Sequence, residues 1–148
     1  MQRFARLLSG HLKAGDTVLL EGDLGAGKSA LARTVIQSLP DQNNELVNEE
    51  VPSPTFTIVQ TYERKIADVW HFDLYRLTDA EELYEIGIEE AFANQVCLIE
   101  WPDRLGHLTP SDNLTIKIEF GDGEEERVLE LVGKGAWQSR LPALALSS

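Results

Sequence analysis

Hydrophobic positions follow two rhythms along the chain. Phe4, Leu7, Leu8 and Leu12 recur three to four residues apart, which predicts a helix over about 2–13, closed by Gly15-Asp16. Thr17-Val18-Leu19-Leu20 is a short unbroken apolar run and predicts a buried strand. A Gly-rich segment, 22–27, separates it from Ala32, Val35, Ile36 and Leu39, a second helix that stops near Pro40. The polar, acidic stretch 41–50 predicts a surface loop. Residues 55–62 and 66–73 predict two strands joined by a tight turn at Glu63-Arg64-Lys65. A further helix opens at Asp79-Ala80-Glu81-Glu82, with acids in the first turn as the helix dipole favours. Val96-Cys97-Leu98-Ile99 predicts a second short buried strand. Residues 113–120 and 126–132 alternate apolar and polar about Gly121-Asp122-Gly123, the pattern of a hairpin. The segment after it, with Trp137, carries no clear pattern, so 1–133 is taken as the domain and 134–148 as a tail of unassigned structure.

Length and charge narrow the classes of function. The 148 residues suffice for one sizeable core. With 13 basic and 25 acidic side chains, the net charge is −12, which argues against a surface that tracks nucleic-acid phosphates. One local positive pocket is still compatible with it. Cys97 is the single cysteine, so no disulfide closes within the chain, and a reducing, cytoplasmic setting is expected. No apolar run approaches a membrane span, so no membrane association is expected. Ser9, Gly10 and His11 interrupt the N-terminal apolar stretch, which reads as an amphipathic helix rather than a signal peptide.

The sharpest chemical signal is Gly22-Asp23-Leu24-Gly25-Ala26-Gly27-Lys28-Ser29, a letter-for-letter match to G-x-x-x-x-G-K-[ST]. A random chain of this length would match with a chance of roughly 0.5% at average composition. The motif also follows a predicted buried strand and opens a predicted helix, the setting its chemistry requires. Glycines let the backbone curl so that successive amides face one anion at a helix N-terminus. Gly22, Gly25, Ala26, Gly27, Lys28, Ser29 and Ala30 are the expected nucleotide-binding residues. The Lys28 ammonium would reach the β- and γ-phosphates, and the Ser29 hydroxyl would ligate Mg²⁺. The bland alternative is a Gly-rich turn with an incidental lysine.

Such a site needs carboxylates near the metal, at the ends of strands beside the loop strand. Glu100, directly after the 96–99 run, is the candidate to hold Mg²⁺ or to orient the attacking water; otherwise it is an ordinary strand-end acid. Asp73 ends the 66–73 strand and is a second candidate, against a plain capping role. His71 shares its strand face but reads as a packed histidine. Thr55, in Ser53-Pro54-Thr55, is placed to sense a γ-phosphate, or simply starts a strand. Trp101 reads equally as core or as a partner-facing aromatic. No Ser-His-Asp elbow is present, and His11, His71 and His107 lack metal-ligand spacing. Glu81, Glu82, Glu89 and Glu90 read as a solvated face or one turned toward a basic partner.

Taken in order, GDLGAGKS, SPTFTIVQTYE, HFDLYRL, EELYEIGIEEAF and CLIEWPDRLG resemble the bacterial TsaE family, over about residues 15–110. That family is the small ATPase of tRNA threonylcarbamoyladenosine (t6A) biosynthesis. The resemblance implies an α/β fold: a single P-loop NTPase-like domain with a central, mostly parallel sheet flanked by helices and antiparallel hairpin strands. It implies Mg-dependent hydrolysis of ATP to ADP and action on the TsaB and TsaD proteins. The −12 charge argues against direct tRNA binding, and the lack of an evident arginine finger in cis predicts a rate weak alone and raised by a partner. On the family's motifs, Lys28 is the loop lysine, Asp73 the acid of the H-x-D-L-Y-R block, Glu100 and Trp101 the Glu-Trp pair, and Thr55 the threonine of the Ser-Pro-Thr block. Ser29 stands where the family usually carries Thr. Family members also start with a strand that borders the nucleotide, whereas here the helical pattern begins almost at Met1, which bears on base-side contacts.

Two other readings of the residues stay open. A small-molecule kinase needs a basic lid, and residues 40–50 hold no Lys or Arg. A nucleotide-dependent switch with incidental hydrolysis would use Asp103-Arg104-Leu105-Gly106 as D-x-x-G, but this lies beyond Trp101-Pro102 and no N-K-x-D accompanies it. Arg76 and Arg104 are the arginines available in cis.

Overall fold

A computed structural model describes residues 1–145. The strands are β1 Thr17–Glu21, β2 Val59–Tyr62, β3 Val69–Asp73, β4 Val96–Glu100, β5 Asn113–Phe120 and β6 Arg127–Lys134. The helices are α1 Gln2–Ser9, α2 Lys28–Gln37, α3 Glu82–Glu85, α4 Ile88–Asn94 and α5 Trp137–Arg140, with 3₁₀ stretches at Pro102–Leu108 and Leu141–Leu144. One six-stranded sheet runs in the order β2-β3-β4-β1-β5-β6. Its centre is parallel, β3 with β4, β4 with β1 and β1 with β5; β2 and β6 pair antiparallel at the two edges. The expected architecture, a mostly parallel sheet with hairpin strands and flanking helices, is the one observed.

The central strands are apolar throughout because both faces are covered. Leu20, Val18, Leu98 and Ile116 pack on one side with α1 and α2, while Leu19, Cys97, Ile99 and Phe72 pack on the other with Leu83 and Ile88 of α3 and α4. Leu31, Ala32, Val35 and Ile36 of α2 are buried, the spacing of a helix that lays one face on a sheet. The parallel strands β1, β3, β4 and β5 therefore all end on the edge where the β1–α2 loop lies, and the antiparallel β6 starts there.

Several boundaries differ from the sequence expectation. Helix α1 stops at Ser9, whose hydroxyl turns back to the Arg6 carbonyl at 2.7 Å; Leu12 is still buried, carried there by a turn. The strand expected over 55–62 starts only at Val59, because the Pro54 carbonyl accepts the Thr57 and Ile58 amides and Ile58 takes a positive φ of 70°. Only 69–73 of the 66–73 run is strand. The acidic helix is split in two by Gly87, at φ 85°. Pattern also missed the ordered tail. Trp137 and Leu144 are buried against the α1–α2 side of the sheet, and the Arg140 guanidinium lies 3.7 Å from the Trp137 ring centre and pairs with Asp16 at 2.7 Å. Residues 146–148 of the expected tail lie outside the described residues.

Candidate phosphate-binding site

The loop between β1 and α2 forms because its glycines adopt what other residues avoid. Gly25 and Gly27 sit at φ 80° and 115°, in the left-handed region. Gly22 is required for space: a Cβ there would meet the Ile118 carbonyl oxygen at 2.8 Å. The curl leaves the first amides of α2 without an intrahelical acceptor. The Ala26 amide differs from its neighbours, since it donates to the Asp23 carbonyl at 3.0 Å.

An open cleft of about 230 Å³ lies over this loop, lined by Gly25, Gly27, Lys28, Ser29, Thr55, Asp73, Glu100 and Trp101. The structure thus brings Lys28, Ser29, Thr55, Asp73 and Glu100 together at one place. Asp73 and Glu100 are in register as the last residues of the neighbouring parallel strands β3 and β4. Glu100 is buried, and its two oxygens are held from two sides. The Ser29 hydroxyl donates to them at 2.9 Å, and His71 Nε2 lies 2.6 Å from Oε2. Asp73 accepts the Thr55 hydroxyl at 2.8 Å on one oxygen and the Tyr75 amide at 3.0 Å on the other. Because the Thr55 proton goes to Asp73, Thr55 accepts the Ser53 hydroxyl at 2.8 Å.

Lys28 is buried, and its ammonium donates to the carbonyls of Gly22 and Asp23, the latter at 2.9 Å, and stands 4.2 Å from the Trp101 ring centre. Burial lowers its pKa below the ordinary 10.5, opposed by the carboxylates of Glu100, Asp73 and Asp23. Trp101 is half-buried, takes a positive φ of 58° and packs on Tyr75 at 5.0 Å between ring centres. Its place beside the Lys28 ammonium comes with that backbone turn, which residue spacing does not encode.

Oxygen donors of this kind suit Mg²⁺, which takes one or two protein oxygens and completes its octahedron with water and phosphate. Ser29 and Glu100, hydrogen-bonded to each other, are oxygen donors that could hold such an ion together. Among the described residues no cluster of three or more His, Cys, Asp or Glu side chains could hold a metal by itself. Neither arginine considered in cis lines the cleft. Arg76 lies over the Phe56 ring and Arg104 donates to the Leu77 carbonyl. His71, which shares its strand face with Asp73, is packed as expected, and its Nε2 lies against Glu100. One residue tied to the loop has no sequence signal. Arg127 reaches the loop from β6, and nothing local in sequence marks it. Elsewhere, a wider hollow of about 560 Å³ beside α2 has Glu49 and Glu50 next to Arg33 and no phosphate loop.

The family model "Threonylcarbamoyl adenosine biosynthesis protein TsaE" matches residues 1–129. The chain belongs to the TsaE family. This TsaE-family chain is similar to the tRNA threonylcarbamoyladenosine biosynthesis protein TsaE of Rickettsia felis, at 36% identity over 99% of the chain and 82% of the relative. The TsaE protein of Haemophilus influenzae is 38% identical over 90% of the chain and 80% of its own length. That of Bacillus subtilis is 37% identical over 87% and 78%. Among solved structures, Bacillus subtilis YdiB matches with a TM-score of 0.75 at 29% identity, over 95% of this chain and 83% of that one. The family places the chain in t6A biosynthesis. Among the described residues no helix is long and apolar enough to cross a membrane.

Proposed function

We propose that this TsaE-family chain is a Mg-dependent ATPase that supports t6A modification by acting on TsaB and TsaD in the cytoplasm. The observation that carries the reading is the convergence of Lys28, Ser29 and Glu100 on one cleft at the mouth of a G-x-x-x-x-G-K-S loop. Backbone amides of the loop and of the first turn of α2 would bind the phosphates, with the helix dipole favouring their charge. The Lys28 ammonium needs only to leave the Gly22 and Asp23 carbonyls to meet a β- or γ-oxygen. Mg²⁺, when bound, would neutralise charge on the phosphates as the bond to the γ-phosphorus breaks. Ser29 and Glu100 would hold it. Glu100 or Asp73 would accept a hydrogen bond from the attacking water, and Thr55, tethered to Asp73, would follow the γ-phosphate. With Arg76 and Arg104 engaged elsewhere, no arginine among the described residues lines the cleft, which supports slow turnover alone and faster turnover when a partner docks.

Calorimetric titration with ATP and a phosphate-release assay test this. Lys28→Ala is expected to abolish nucleotide binding; unchanged affinity would place the site elsewhere. Glu100→Ala is expected to keep binding and lose roughly 10²-fold in hydrolysis. Wild-type turnover in that variant would reduce Glu100 to a structural acid. Capture of TsaB and TsaD with ATP but not without it would support the partner assignment.

A further inference from the structure

Arg127, the first residue of β6, crosses to the phosphate loop, 101 residues earlier in the chain. Its Nε donates to the Ala26 carbonyl at 2.7 Å. The guanidinium is itself held in place: Nη1 donates to the carbonyls of Glu124 and Glu126, and the group stacks 4.6 Å from the Phe120 ring centre. The turn that presents it is closed by the Gly121 amide donating to the Glu126 carbonyl at 2.8 Å. Beside it, β5 presses directly on the loop, with the Ile118 carbonyl against Gly22.

This contact has a consequence for the neighbouring amide. The peptide between Ala26 and Gly27 is trans, so its carbonyl and its N–H point in opposite directions. A donor that draws the Ala26 oxygen toward β6 turns the Gly27 N–H the other way, away from β6. Gly27 at φ 115° has the widest conformational freedom of any residue type. Without an external tie, this peptide could flip and present its oxygen to an incoming phosphate, where it would repel.

We infer that Arg127 is a positioning residue, which pins the Ala26–Gly27 peptide so that the Gly27 amide faces the phosphates. The inference rests on the phosphate-binding reading of the cleft. It assigns the β5–β6 hairpin a part in nucleotide affinity. The effect requires a donor at the Nε position and does not require the positive charge.

Glutamine tests that distinction, because its Nε2 stands the same number of bonds from Cα as arginine Nε. Calorimetric ATP affinity is measured for Arg127→Gln, Arg127→Met, Arg127→Lys and Lys28→Ala, with a thermal melt of each. Arg127→Met, of similar length but with no donor, is expected to weaken ATP binding about tenfold. Arg127→Gln is expected to recover most of that loss, which general loosening of the hairpin would not produce. Amide exchange of the 22–29 segment in the free protein should quicken in Arg127→Met and return toward the parent rate in Arg127→Gln. Arg127→Leu, also without a donor, stands in if Arg127→Met fails to fold, and Arg127→Lys keeps the charge with no donor at the Nε position. Parent affinity in Arg127→Met overturns the inference. So does retention in Arg127→Lys with loss in Arg127→Gln, which would assign the effect to charge. In both cases failed binding by Lys28→Ala leaves the site reading intact, whereas parent affinity in Lys28→Ala overturns the site reading and this inference together.

Discussion

His71 Nε2 lies 2.6 Å from Glu100 Oε2, between two side chains that are almost wholly buried. A carboxylate can only accept, so Nε2 carries the proton and Nδ1 is left without a partner. The hydroxyl of Ser29 meets the same carboxylate from the loop side. If Ser29 turns to a metal ion, His71 is the donor that still holds Glu100 in its rotamer.

Replacing His71 by Leu, which is close to histidine in volume, removes that donor with little change in packing. The buried Glu100 carboxylate then loses one of its two side-chain partners. A loss of about 1–3 kcal/mol in unfolding free energy is expected in urea melts. Stability equal to the parent would show that Glu100 is satisfied by Ser29 and solvent alone.

Gly22 and Gly25 should fail for different reasons when changed to Ala. At Gly25 a Cβ meets nothing within 4 Å, so the cost is the left-handed backbone, about 1–2 kcal/mol. Asn, which tolerates that region, should restore part of it at Gly25. At Gly22 the Cβ collides with the Ile118 carbonyl, so Asn should be worse than Ala. Thermal melts of the four variants check the pattern, and an equal response to Asn at both positions would contradict it.

Cys97 is buried as the second residue of β4, and burial pushes its thiol up to about 12 from 9.0. A raised thiol pKa adds stability that is present below pH 9.0 and is lost as pH rises from there toward about 12, because the unfolded thiol ionises first. Cys97→Ala should flatten that part of the pH–stability curve. At pH 8 the native thiol should resist alkylation that goes to completion in denaturant. Rapid native labelling would mean that β4 opens.

Trp137 is buried where sequence pattern showed only a tail. Trp137→Ala should cost about 3–5 kcal/mol, since it empties a large core site and removes the seat of Arg140. Arg140→Gln, which removes the guanidinium's bonds to Asp16 and the His11 carbonyl and its stacking on Trp137 but empties no core site, should cost much less. Equal melts for parent and Trp137→Ala would show that the segment is not part of the core.

Sequence by itself determined the parts that depend on neighbours in the chain. The phosphate loop, the two apolar strands that flank the chemistry and the helix opened by Lys28 follow from spacing. Local steric and hydrogen-bonding rules act within a few residues. So does the placing of Glu100 and Asp73 at strand ends. Boundaries set by long-range contacts were not legible in the same way. Val59 begins β2 because Pro54 and Asp73 bind the turn before it, and the segment with Trp137 is ordered by a core built from both ends of the chain. His71 beside Glu100 and Arg127 on Ala26 are pairings of this second kind. Pairing across 29 and 101 positions is decided by strand order and register, which only the closed sheet supplies.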